Sequence, residues 1–323
     1  MGIKLYKEPE LKNPVMLCGW PGIGNIGINA IDSLRAALKA QEFGEIEPWD
    51  FFNPRKVTIE KGLLKDLEFP GSKFYFQKIE SLPVKSLHVE RKAERHLIFF
   101  IGQEQPAEEK IRYAEGRKAY KMANLVLDVA EKFGCRRVYT SGAAVTQIHH
   151  TAKPRVWAVP NKQSLIEEIK QYENTIVMSE IEGRSSQGTI TGLNGLLLGA
   201  AKKRNLEAVC LMGEIPYYLQ GAPWPYPKAS KSVLEVLNKI LNVRIDLSQL
   251  DELAKRVEKY IEEFLESLYN AEAIPPQLKD EIEKLMYAGP AEPGPITEDE
   301  QKEMMKHIDE LSKEGGQQDE KKL

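Results

Sequence analysis

The sequence predicts a layered α/β fold around a mostly parallel sheet, followed by a C-terminal helical extension. Three observations lead there. Short apolar runs alternate with helical patterns as far as about residue 246. Most of those runs are continuously apolar rather than alternating, as in strands covered on both faces. After Asp246 the apolar residues keep helical spacing alone, and strand–helix alternation giving way to helices defines the architecture.

In chain order, the strand candidates are Val15–Trp20, Leu97–Ile101, Arg137–Ser141, Val156–Val159, Ile176–Ser179 and Ala208–Gly213. A helix is expected over Ile23–Ala40, where Ile23, Ile26, Ala30, Leu34 and Leu38 recur every three or four residues. A second, over Glu109–Phe133, sets Ile111, Met122, Leu125, Val129 and Phe133 on one side and charges on the other. Residues 55–80 break the rhythm. There Val57-Thr58-Ile59 and Phe74-Tyr75-Phe76 flank a Pro70-Gly71 turn signal, which suggests a hairpin or an antiparallel edge.

The extension opens at Ser248 as a helix cap, with Leu250, Leu253, Val257, Ile261, Phe264 and Leu268 following at helical spacing. Pro275-Pro276 starts a shorter helix carrying Leu278, Ile282 and Leu285. Beyond it, prolines 290, 293 and 295 mark a linker, and Thr297 with Glu300 forms a capping-box signature before a last amphipathic helix. From Gly315 onward the chain is polar and expected to be disordered. The predicted domains are therefore 1–246, an α/β core; 247–288, a helical extension; and 289–323, an acidic linker, short helix and tail.

Composition excludes several classes. The chain has 323 residues, 42% hydrophobic and 29% charged, with a net charge of −3. That suits a soluble globular protein and argues against a dedicated nucleic-acid binder, which shows a basic stripe. The total hides a partition: residues 289–323 hold five lysines against ten carboxylates, a charge of −5, which leaves +2 on the remainder. Cys18, Cys135 and Cys210 sit singly in apolar runs, as buried thiols of a reducing compartment do. No apolar run reaches the ~18 residues that span a bilayer, and the N-terminus lacks a signal-peptide stretch. A cytoplasmic protein without membrane or nucleic-acid partners is expected.

The sharpest local motif is Gly22-Ile23-Gly24-Asn25-Ile26-Gly27, a GxGxxG after a strand and opening a helix. In that context, glycines let backbone amides approach a pyrophosphate. Its partner is missing: the stretch Gly44–Asp50 holds acids but no clean strand to carry a ribose-binding carboxylate. Close packing at a tight turn competes with a small-ligand or anion site at Gly22, Gly24, Asn25 and Gly27. Gly183–Thr189 has phosphate-loop spacing but lacks the lysine that should follow.

Gly188, Gly192, Gly195 and Gly199 fall on one helical face, which points to close packing on the sheet, or else to a groove beside Asn194. Ser141-Gly142 ends an apolar strand, where α/β sheets place ligand loops, but it is no nucleophile elbow. His149-His150 are adjacent and suit one metal poorly; neither a metal site nor a cofactor is expected. Glu214 is the carboxylate at the last strand end, and the loop beyond it is dense in aromatics and prolines. That loop, with Tyr217, Tyr218, Trp224 and Tyr226, suits a subunit interface.

Taken together, four segments resemble the proteasome assembly chaperone 2 family. They are Gly19-Trp20-Pro21-Gly22-Ile23-Gly24-Asn25-Ile26-Gly27, Ser141-Gly142-Ala143, Gly192-Leu193-Asn194-Gly195-Leu196-Leu197 and Gly213-Glu214-Ile215-Pro216 through Pro227-Lys228-Ala229. The resemblance covers about residues 10–246. It implies a three-layer α/β/α core similar to purine nucleoside phosphorylases, homo-oligomers (a trimer or tetramer), and a chaperone role toward protein clients without catalysis. The chain ends Glu320-Lys321-Lys322-Leu323, without the hydrophobic–tyrosine–any-residue tail by which archaeal relatives dock on a proteasome ring, so ring docking is not implied.

Two functions follow. One is a non-enzymatic, oligomeric chaperone-like protein. The alternative is an enzyme or sensor for nucleotides, nucleosides or phosphate, phosphorylase-like or loosely ligase-like, using the glycine-rich loops. The chaperone is preferred, because the sequence does not assemble the acid, base or metal set an enzyme needs.

Overall fold

The computed structural model describes residues 2–79, 95–107, 116–177, 188–271 and 274–287. Its strands are β1 Ile3–Leu5, β2 Val15–Gly19, β3 Gln41–Ile46, β4 Lys56–Glu60, β5 Leu63–Glu68, β6 Ser72–Ile79, β7 Arg95–Gly102, β8 Arg137–Thr146, β9 Val156–Pro160, β10 Thr175–Val177 and β11 Glu207–Pro216. Its helices are α1 Ile26–Ala37, α2 Gly116–Lys132, α3 Ile166–Ile169, α4 Gly192–Lys203, α5 Pro227–Leu241, α6 Ser248–Asn270 and α7 Pro276–Tyr287.

Among the described residues, nine strands form one sheet in the order β1-β3-β6-β7-β2-β8-β11-β9-β10. Its centre, β7-β2-β8-β11, is parallel; the flanks β1-β3-β6-β7 and β11-β9 are antiparallel. The apolar runs explain the centre: all five residues of β2 and nine of the ten in β11 are buried, so both faces must be covered. Alternate side chains feed two cores. Leu17 packs toward Ile31, Leu34, Val233 and Leu237 of α1 and α5, whereas Met16 and Cys18 pack toward Met122, Val126 and Leu197 of α2 and α4. The molecule is a three-layer α/β/α protein with a mixed sheet.

The extension is packed, not loose. Ile261 and Leu265 of α6 and Leu278 and Ile282 of α7 join the same apolar cluster as Leu237 and Ile240. Across the α5–α6 seam, Lys228 pairs with Glu258 and Lys231 with Asp251. Trp224 meets the rings of Tyr260 and Phe264 edge-on, each at 5.0 Å.

Several expectations are corrected. Val57–Ile59 does not pair with Phe74–Phe76 around Pro70-Gly71. It pairs with Leu64–Leu67 across a turn with both Lys61 (φ 53°) and Gly62 (φ 78°) left-handed, as a tight hairpin turn demands. Phe74–Phe76 instead enters the main sheet between β3 and β7. The stretch without a clean strand contains the end of β3, antiparallel in the sheet. The first helix begins only at Ile26, because Gly24 (φ 58°) and Asn25 (φ 49°) break the turn before it. Gly188 lies outside α4, which Gly192 opens. Ile111, Met178-Ser179, Gly183–Gln187 and 289–323 lie outside the described residues.

Candidate functional site

β8 and β11 run on past β2 to Thr146 and Pro216, paired residue for residue, so Ser141-Gly142 and Glu214 lie within strands rather than at their ends. Over this long ribbon the nominated residues gather in two groups.

The first group surrounds Ser141. The opening turn of α1 abuts β8 so closely that a Cβ on Gly27 would lie 2.1 Å from the Ser141 carbonyl oxygen. From the other face, Asn194 Nδ2 donates to the same carbonyl at 3.2 Å, and a Cβ on Gly142 would meet that amide at 2.6 Å. Gln105 closes the edge: its Nε2 donates to Pro21 O (2.7 Å), and its Oε1 accepts from Leu193 N (3.0 Å). Gly24 O accepts from Tyr226 N at 2.7 Å, tying the glycine turn to the start of α5. Glycine at 24, 27 and 142 is thus explained by close approach and a left-handed turn. Trp20 Nε1, Ser141 Oγ and Asn194 Oδ1 are buried without a hydrogen-bond partner among the described residues. Gly22 and Asn25 are exposed at the rim.

The second group surrounds Glu214, which is wholly buried. Its carboxylate takes four N–H donors: Arg155 N (2.8 Å), Arg155 Nε (3.1 Å), Arg155 Nη2 (2.9 Å) and Trp157 Nε1 (3.0 Å). A carboxylate so engaged holds the segment leading into β9 onto β11; proton transfer with a substrate would require breaking that set.

Beside it, sequence reasoning named His149 and His150 but not their partners. Tyr218 Oη accepts from His150 N and lies in hydrogen-bond contact with His150 Nδ1 at 2.9 Å. The other ring nitrogen, His150 Nε2, is buried without a partner among the described residues. Burial, then the neighbouring His149 and Lys228 charges, push the His150 pKa down to about 4, so this imidazole is neutral at physiological pH. Lys228 Nζ, 2.7 Å from Thr151 O and 3.0 Å from His150 O, clamps the same turn. Tyr217, Tyr218 and Trp224 are half-buried, while Tyr226 is turned inward, with Oη 3.3 Å from His150 O. No group of three or more His, Cys, Asp or Glu residues suited to a metal occurs among the described residues. No helix among them is long and apolar enough to cross a membrane.

Fold and site together define a class: a three-layer α/β/α protein whose strand-borne glycines and carboxylate are engaged in packing. The chain belongs to the PAC2 family, whose model matches residues 16–265, nearly the whole layered body and most of α6. It is 28% identical over 278 residues to the uncharacterized protein MJ1210 of Methanocaldococcus jannaschii, covering 84% of this chain and 92% of that protein. Among solved structures it is similar to PbaB of Pyrococcus furiosus, an archaeal proteasome activator. Identity there is 30% and the TM-score 0.63, over 81% of this chain and 97% of that one. PbaA of the same organism, an archaeal homolog of proteasome-assembly chaperone, shares the fold at 20% identity and a TM-score of 0.55, over 84% and 99% of the two chains.

Proposed function

We propose that the chain is a non-enzymatic, homo-oligomeric chaperone-like protein, a trimer or tetramer of the cytoplasm, that binds protein partners. The likeness to an archaeal proteasome activator, at 30% identity across most of both chains, carries this reading. The geometry agrees with it: Glu214, the carboxylate best placed for chemistry, is consumed by Arg155 and Trp157, and Gly24 and Gly27 of the GxGxxG turn serve close packing. The test is capture of partners from native extract, and of purified proteasome subunits from the same cell, on the immobilised full chain. Saturable binding of a defined protein is expected; recovery of none overturns the proposal.

One observation favours a second reading. Trp20 Nε1, Ser141 Oγ and Asn194 Oδ1 are three buried polar atoms without partners among the described residues, close to the GxGxxG turn. Buried polar groups are ordinarily paired, and a nucleotide, nucleoside or phosphate would supply such partners. A rise in melting temperature with any of these ligands, lost in Asn194→Leu, is the result that would favour a sensor or enzyme.

A further inference from the structure

β4 and β5 form a two-stranded sheet of their own. Every residue of the two strands is exposed except the half-buried Thr58. Their register sorts the side chains. Val57 lies opposite Leu67 and, past a register shift after Thr58, Ile59 opposite Leu64 on one face, while Lys56–Glu68, Thr58–Asp66 and Glu60–Leu63 fall on the other. The charged face satisfies itself, with Lys56 2.9 Å from Glu68 and Lys65 2.6 Å from Glu60. The same alternation carries the apolar face on to Phe69 at the base, where Trp49 packs edge-on at 4.7 Å.

The result is an amphipathic arm with its apolar face in water: Trp49 is 58% exposed, Val57 49%, Ile59 68%, Leu64 71% and Leu67 42%. A lone hairpin is marginal in water, and an open strand pair with such a face invites association.

We propose that this arm is a self-association element, and that its occupant is the same face of the arm on a second copy of the chain. Two hairpins packed face to face make a small β-sandwich. Charge argues for a copy rather than a foreign partner. Lys56, Lys61 and Lys65 balance Glu60, Asp66 and Glu68, so the arm has no excess sign with which to select an acidic or basic protein. An isologous contact requires a self-complementary patch, and a strip of aliphatic side chains with an aromatic anchor at its base is one. Area agrees: at ordinary residue surface areas the five side chains offer on the order of 600 Å² per copy. A pair would then bury about 1,200 Å², at the lower bound of specific interfaces. The assignment rests on the homo-oligomer proposed above and, being two-fold, supplies a contact to the tetramer and not to the trimer.

The experiment compares the full chain with the Ile59→Ser/Leu64→Ser double variant by light scattering after size exclusion, across the micromolar range. The variant is expected to lose at least one step of assembly, with a dissociation constant raised about tenfold or more, while the body's melting temperature is unchanged. A Leu64→Cys chain treated with a short bismaleimide is expected to give a cross-linked pair, since the native cysteines are buried. A monomeric wild type, or a variant assembled like the wild type, overturns the proposal. So does a variant that keeps its mass but loses capture of a protein partner, because the arm would then hold a client. Partner capture that persists in a disassembled variant supports the arm and leaves the chaperone reading standing; loss of all capture by wild type removes that reading alone.

Discussion

Replacing Glu214 separates a structural carboxylate from a catalytic one. Glu214→Ala removes the acceptors of four N–H donors, of which Trp157 Nε1 belongs to a side chain only 2% exposed. Breaking a buried, hydrogen-bonded ion pair costs about 3–5 kcal/mol, and each orphaned buried donor about 1–3 kcal/mol within that total. The Arg155 side chain keeps 22% exposure and turns toward water once released, so the lower figure, about 3 kcal/mol, applies. A shift of about 2–4 °C per kcal/mol holds for domains of 150–250 residues; this longer chain should lose about 6 °C. Glu214→Gln keeps one acceptor but turns an amide toward the arginine, and should lose roughly half as much. Calorimetry with a urea titration of each variant reads both numbers. A Glu214→Ala chain within about 1 kcal/mol of wild type would refute the anchoring role. Paired with loss of a measurable reaction, that result would restore Glu214 as a catalytic group.

Three further outcomes are expected. Gly27→Ala drives a Cβ to 2.1 Å from a backbone oxygen. It should cost about 3 kcal/mol despite the roughly 1 kcal/mol gain in helix propensity, measured by urea unfolding. Trp224→Ala removes the ring that holds Tyr260 and Phe264 and should cost about 2 kcal/mol, with hydrogen exchange rising in α6 ahead of the sheet. His150 carries a pKa of about 4 against 6.5 unfolded. Below pH 6.5 the unfolded ring binds a proton that the folded one refuses, so stability falls as pH drops from about 6.5 to about 4 and then levels. Screening discounted, wild type should lose about 1–2 kcal/mol more than His150→Asn between about pH 7 and pH 5. Equal losses would show that another group, first of all His149 with its own lowered pKa, sets the acid limb instead.

Legibility in the sequence followed burial. β2, β7 and β11 were readable as continuously apolar runs because helices cover both faces. β3, Gln41-Glu42-Phe43-Gly44-Glu45-Ile46, was not: it lies toward the sheet margin, where Phe43, Gly44 and Ile46 are buried and charges alternate with them. The hairpin was displaced by the louder Pro70-Gly71 signal, although the turn uses Lys61-Gly62, whose left-handed backbone only the glycine advertises. α5 had its signal in Val233, Leu237 and Ile240 at helical spacing, yet the expectations stop at the aromatic loop before Pro227. Of the site, the glycine turn was nominated by its place after β2, Asn194 by the glycine face of its helix, and Ser141 and Gly142 by an apolar run that β8 carries on past them; that they meet was not legible. The partners were not, because Gln105 on Pro21, Arg155 on Glu214 and Tyr218 on His150 are brought in by tertiary contacts with no spacing rule.

The most direct measurement is an equilibrium titration of the full chain against the proteins it captures from native extract, with purified proteasome subunits among those tested, read by surface binding. Saturable association with a defined protein, with micromolar or tighter affinity and at a fixed stoichiometry, is the predicted result. No binding there or to any protein in native extract, together with stabilisation by a nucleotide, nucleoside or phosphate, would contradict it.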